Sequence, residues 1–160
     1  MKYTAINPLL YKKNRIRFID AMESNAIAIF NANPVISENG DAVYNYKANS
    51  NIVWFTGITQ EQTMVIFYPE NFEVANREVL VIQRPNELLE KWNGHLLRKE
   101  EATAISGIEK VIYVDELYGE LQRWMHHADT VYLDSNENDR KSDDIIRTDL
   151  QFIAKIKQSF

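Results

Sequence analysis

The chain has 160 residues, enough for one domain with a sizeable core. Its 18 basic and 23 acidic side chains give a net charge of −5, with no basic stripe of the kind that holds a nucleic-acid backbone. Cysteine is absent, which excludes disulfides, thiolate nucleophiles and thiolate metal sites and suits a reducing cytoplasm.

In chain order, Met1 to Asn7 is polar and carries no signal-peptide core, and no later stretch is long and apolar enough to cross a bilayer. The expected compartment is therefore the cytoplasm, without membrane contact. Asn7-Pro8 predicts a helix start, because Asn caps free amides and Pro at the first helical position lacks the amide that would go unpaired. Tyr11, Phe18, Ile19 and Met22 fall on one side of that helix, and Lys12, Lys13, Arg15 and Arg17 are expected opposite. Ser24-Asn25 closes it, and Ala26 to Phe30 reads as a buried strand. Asn39-Gly40-Asp41 predicts a turn feeding a strand around Val43 to Tyr46. The runs Ile52 to Phe55, Met64 to Tyr68 and Val79 to Ile82 are short and rich in β-branched or aromatic residues, and read as strands.

After them the pattern changes. Glu87 to Trp92 and Lys99 to Ile105 read as helices and Val111 to Val114 as a strand, with Asp115 capping a helix to about His126. Thr130 to Leu133 is the last predicted strand. Ser142 caps a final helix, with Asp143 and Asp144 in its first turn matching the helix dipole. Strands first, then alternating helices and strands, indicate an α/β fold with a mixed β-sheet flanked by helices, as one domain over residues 1–160. In the last helix Ile145, Ile146, Leu150, Phe152, Ile153, Ile156 and Phe160 spread over a broad sector that runs to the final residue. Termini ordinarily fray into polar residues, so this pattern predicts a longer parent protein, and a helix docked at the edge of a complete domain is the other reading of it.

The chemistry-bearing residues are sparse. His126 and His127 point about a third of a turn apart and cannot share one ion on a helix; a helix C-terminus explains them. His95 stands alone in a predicted loop. Asp41, Glu70, Asp115 and Asp134 lie near strand ends, where a magnesium-dependent nuclease of ribonuclease-H type places carboxylates, but caps and turns use the same residues. Glu100 and Glu101 read as a solvated helix start. No Ser sits in a nucleophile elbow, no Gly-rich loop cradles phosphate and no lysine lies in an apolar pocket. The residues present do not make a complete enzyme, and no catalytic or metal-binding residue is assigned. What stands out is Tyr44, Tyr46, Trp54, Phe55 and Trp92 together with Asn49, Asn51, Arg84 and Glu90. Core aromatics cover part of this group. Trp92, between Lys91 and Asn93-Gly94, sits where a contact residue is expected.

The run Tyr44-Asn45-Tyr46-Lys47-Ala48-Asn49-Ser50-Asn51, followed by Trp54-Phe55-Thr56-Gly57, resembles the Y-x-Y-R-x-N-S-x and Y-x-T-G signature of the Xaa-Pro aminopeptidase (aminopeptidase P) amino-terminal domain. Asn39-Gly40-Asp41 upstream and Glu90-Lys91-Trp92-Asn93-Gly94 downstream resemble the family's N-G-D and E-x-W-x-G. Lys47 replaces an Arg, Ile52-Val53 a more aromatic pair, and Arg98 stands after Leu97 where a Gly is usual.

The resemblance implies a mixed-sheet domain of the creatinase and prolidase amino-terminal type, with a ribonuclease-H-like motif. It also implies a carboxy-terminal pita-bread catalytic domain, absent from this chain. There two divalent ions, usually manganese, bind Asp, Asp, His, Glu and Glu and activate a hydroxide against the bond before a proline in second position. None of those motifs occurs here. Trp92 carries over as a residue bordering the substrate entrance and reaching a neighbouring subunit of a homo-oligomer, with Glu90, Gly94, Tyr46 and Asn49 as supporting residues. Two other readings stand beside this one: a protein-binding module, as in pita-bread relatives without peptidase activity, and an independent nuclease.

Overall fold

A computed structural model of the chain describes residues 5–135 and 148–159. Helix α1 covers Leu9–Ile19. Asn7 Oδ1 accepts the Leu9 amide at 2.9 Å, and Pro8 is already helical at φ −54°, so both expected start signals operate. Strand β1 (Ala26–Asn31) follows, then a hairpin of β2 (Ser37–Asn39) and β3 (Ala42–Val43). Next come α2 (Ser50–Thr56), β4 (Met64–Phe67), a single 3₁₀ turn (Val74–Asn76) and β5 (Glu78–Ile82). The second half runs α3 (Glu87–Asn93), α4 (Lys99–Ser106), β6 (Lys110–Tyr113), α5 (Val114–Met125), β7 (Thr130–Leu133) and α6 (Thr148–Ser159). The Ser142 cap, Asp143, Asp144, Ile145, Ile146 and Phe160 lie outside the described residues.

Five strands form one mixed sheet in the order β6-β5-β4-β1-β7. The outer pairs β5–β6 and β1–β7 are parallel, and β1–β4 and β4–β5 are antiparallel. Parallel strands need a crossover, which α3 and α4 supply between β5 and β6. Alternate side chains build a core on each face. On one, Ile27, Ile29, Ile66, Val79 and Val81 pack against Leu117, Leu121 and Trp124 of α5 and Ile156 of α6. On the other, Ala28, Val65, Phe67, Leu80 and Ile82 pack against Ile52 and Phe55 of α2 and Ala102 of α4. Phe18 of α1 meets Phe30, Phe55 and Phe67 there at ring separations of 5.2, 5.2 and 5.7 Å.

Four expectations are corrected. Ile52 to Phe55 belongs to a helix, because Asn49 Oδ1 accepts the Asn51 amide at 2.8 Å and Gly57, at φ 73°, ends α2 in the left-handed region. A four-residue apolar run fits either period, and the caps decide. The strand around Val43 to Tyr46 shrinks to Ala42–Val43, whose side chains are exposed and gain nothing from a longer ladder.

Asp115 does not cap α5. Glu116 does, accepting the Tyr113 amide at 3.0 Å, while Asp115 pairs with Arg84 at 2.7 Å. Arg15 does not face solvent with Lys12, Lys13 and Arg17: its side chain is fully buried, one helical step from Tyr11 and Phe18. Its Nη1 donates to the carbonyls of Phe55 and Ser106, both at 2.9 Å, and its Nε to Glu78 at 3.0 Å. It thereby ties the C-terminal ends of α2 and α4 to α1 and β5.

Candidate functional site

Trp92 stands near the end of α3 with 81% of its surface exposed. The helix exists there because Asn86 Oδ1 accepts the Leu88 amide at 2.8 Å and Glu87 and Glu90 occupy the first turn. It stops because Gly94 takes φ 84°, a left-handed value that glycine adopts without strain, while its amide donates to the Glu90 carbonyl at 3.1 Å. The E-x-W-x-G spacing thus amounts to the last turn of a seven-residue helix, carrying an indole and leaving through a glycine.

Glu90 ties down the segment that follows. Its carboxylate accepts both arms of Arg98, from Nη1 at 2.7 Å and Nη2 at 2.9 Å, and the Leu96 amide at 2.9 Å. His95 Nδ1 stands 3.5 Å from the same carboxylate, and His95 Nε2 lies 2.9 Å from Glu101. Glu101 in turn accepts the Arg98 amide at 2.7 Å, closing the start of α4. The guanidinium, helped by the Leu96 amide, pulls the Glu90 carboxyl down to about 2. The Arg98 amide and then the His95 ring lower the Glu101 carboxyl. His95 is therefore not alone in a loop, and Glu101 is not simply solvated. Arg98, at the place where the resemblance implies a glycine, supplies the cation that Glu90 holds.

Beside this segment lies a cleft of about 370 Å³, lined among others by Tyr46, Ile58, Gln60, His95, Leu96 and Ile105. Gln60 Oε1 accepts the Leu97 amide at 2.8 Å, fixing the cleft wall to the segment after Trp92. Burial and then the Glu61 carboxylate push the Tyr46 phenol above its ordinary value. Trp92 and Gly94 are not among the lining residues.

The structure therefore brings Trp92, Glu90 and Gly94 together and sets Tyr46 across the adjoining cleft. Asn49 lies elsewhere: 5% exposed, it caps α2 and donates to Asp134 Oδ2 at 3.2 Å, beyond the end of β7, where Asn51 joins it at 3.1 Å. The four carboxylates weighed as a nuclease centre do not converge. Glu70 accepts the Asn25 amide at 2.7 Å, Asp115 holds Arg84, Asp134 holds Asn49 and Asn51, and Asp41 sits in the β2–β3 hairpin. Among the described residues no three His, Asp or Glu side chains come together as a metal site. The described residues thus offer no ligand set for a pair of divalent ions. None of the described helices is long and apolar enough to cross a membrane.

Sequence reasoning missed the Glu90–Arg98 pair and the His95 bridge. The signal within reach was the Glu101 carboxylate three residues after Arg98, a capping-box spacing.

The family model described as "Aminopeptidase P, N-terminal domain" matches residues 11–132. A curated relative, the Xaa-Pro aminopeptidase of Escherichia coli K12, is 22% identical over 122 residues, 76% of this chain and 27% of the relative. The chain thus spans about a quarter of that relative's length. Among solved structures, a Bacillus anthracis protein assigned as an aminopeptidase P superposes with a TM-score of 0.83 at 25% identity, covering 97% of this chain and 36% of that one. Aminopeptidase PepP of Pseudomonas aeruginosa shares the fold at a TM-score of 0.81 and 20% identity, over 98% of this chain and 33% of its own.

Proposed function

The chain belongs to the aminopeptidase P N-terminal domain family, and from that premise we propose that it is the non-catalytic part of an Xaa-Pro aminopeptidase. In this reading hydrolysis of the bond before a proline in second position falls to a carboxy-terminal domain. That domain supplies two divalent ions, manganese by resemblance. The amino-terminal domain supplies Trp92 as a flat apolar wall at the substrate entrance and surfaces for the catalytic domain and for neighbouring subunits of a cytoplasmic homo-oligomer.

The observation that carries this reading is an indole left 81% exposed on a segment that five polar contacts hold in place. A tryptophan gains a great deal by burial, so an exposed one on a fixed support is placed for an outside contact. Beside a proline-containing peptide it offers a surface for the pyrrolidine ring and displaces water from it.

Trp92→Ala tests this. In the protein with its catalytic domain, the expected result is a fall of about tenfold in kcat/KM for Xaa-Pro peptides, with the melting temperature of the domain unchanged. Unchanged kinetics would remove Trp92 from the entrance. Stoichiometric manganese binding to the 160-residue chain by calorimetry would overturn the division of labour.

A further inference from the structure

We propose that Arg98 is a positioning residue for Trp92: by gripping Glu90 on the same helix turn as the indole, it fixes the direction in which α3 presents that ring. The proposal rests on the reading of Trp92 as an entrance residue for its consequence in the reaction, though not for the geometry.

The Trp92 side chain is largely exposed and belongs to neither core, so its direction follows from the end of α3 and from the segment that leaves it. Glu90 precedes it by half a turn. Through Glu90 that turn is bonded to the Arg98 fork, 2.7 and 2.9 Å, and to the Leu96 amide, 2.9 Å. Arg98 also donates from Nη1 to the Leu96 carbonyl, so one guanidinium closes a ring from α3 through residues 94–98 and back. A planar fork fixes an angle as well as a distance, which a lysine ammonium at the same place does not. Arg98 is itself held at the entrance of α4 by its amide on Glu101, 2.7 Å, so the fork grips from a helix that packs on the core. Beside this cluster the His95 ring lies between Glu90 and Glu101, and Lys99 Nζ pairs with Glu116 at 3.3 Å.

The test compares Arg98→Gly and Arg98→Lys, by NMR on the 160-residue chain and by kinetics on the protein with its catalytic domain. In Arg98→Gly the Leu96 amide is expected to exchange at least about tenfold faster and the Trp92 indole N–H resonance to move and broaden. The Glu90 carboxyl then titrates nearer its ordinary 4.5 than the present value of about 2. KM rises by about tenfold while kcat is largely kept. Arg98→Lys restores the charge without the fork, so it recovers the Glu90 titration more fully than the Trp92 resonance. An unchanged Leu96 amide and Trp92 resonance in Arg98→Gly would overturn the proposal whatever the kinetics. If both move and KM does not, positioning stands and the entrance reading of Trp92 fails. Should Arg98→Gly fail to fold, Arg98→Gln, which keeps the aliphatic stem, carries the same readouts.

Discussion

Replacing Arg15 by Met tests how the domain is joined at its centre. The guanidinium is fully buried and donates to the carbonyls of Phe55 and Ser106 at 2.9 Å each and to Glu78 at 3.0 Å. Methionine fills much of the same volume without strain, so the change isolates the polar loss. Each buried carbonyl left without a donor costs about 1–3 kcal/mol. Glu78, with its side chain 28% exposed, regains water and adds little. Against this, Arg15 Nη2 is buried without an acceptor among the described residues, and its removal returns about 1–3 kcal/mol. The net loss is about 2 kcal/mol, or roughly 4–8 °C in melting temperature for a domain of this size. Thermal melts followed by circular dichroism, with urea midpoints at 25 °C, read it directly. Arg17→Met on the exposed side of the same helix is the control and moves stability by less than about 0.5 kcal/mol. Replacing a whole buried ion pair by apolar groups is often neutral. The loss is expected here because the carbonyl partners stay behind. An Arg15→Met chain as stable as the original would refute that account.

Gly57→Ala should cost more. The added Cβ would lie 2.3 Å from Tyr11 Cζ and 2.5 Å from its Cε2 and Oη, on a backbone at φ 73°. A loss of at least about 3 kcal/mol is expected in urea unfolding, and an unmoved midpoint would show that Tyr11 yields freely. Acid titration is the next check. The folded-state carboxyls of Glu90, Glu101, Asp115 and Glu116 all lie below their ordinary values, Glu90 at about 2. Their contribution is therefore complete above the ordinary carboxylate range and is lost as pH falls from about 4.5 towards 2. Urea midpoints should hold between pH 7 and 5 and drop between 5 and 3, with a smaller drop in high salt. A midpoint that rises between pH 5 and 3 would contradict the sign.

The strands were legible wherever β-branched runs met turn residues, as at Ala26 to Phe30, Met64 to Tyr68 and Val79 to Ile82. The mixed sheet followed from their order. What escaped was set by local caps and by tertiary partners. Asn49 reads equally as a loop polar residue until its side chain is seen on the Asn51 amide, and so α2 passed for a strand. Arg15 sits at helical spacing with Tyr11 and Phe18, and its charge hid a place that the period alone would have put inside. Of the site, the exposed Trp92 and the glycine exit at Gly94 were legible from residue type and spacing. The Glu90–Arg98 fork was not, because residues eight apart meet only when a left-handed glycine turns the chain between them.

None of the α3 residues whose surroundings are described is buried, and none belongs to either core. The tryptophan-bearing turn is moored to the rest of the domain through Glu90 and Arg98. Its bearing is accordingly free to drift under selection: single acid-for-amide or base-for-amide exchanges at the mooring would swing the indole while the sheet beneath keeps its shape. Salt acts on the same pair, because ions screen charges whose side chains are partly exposed.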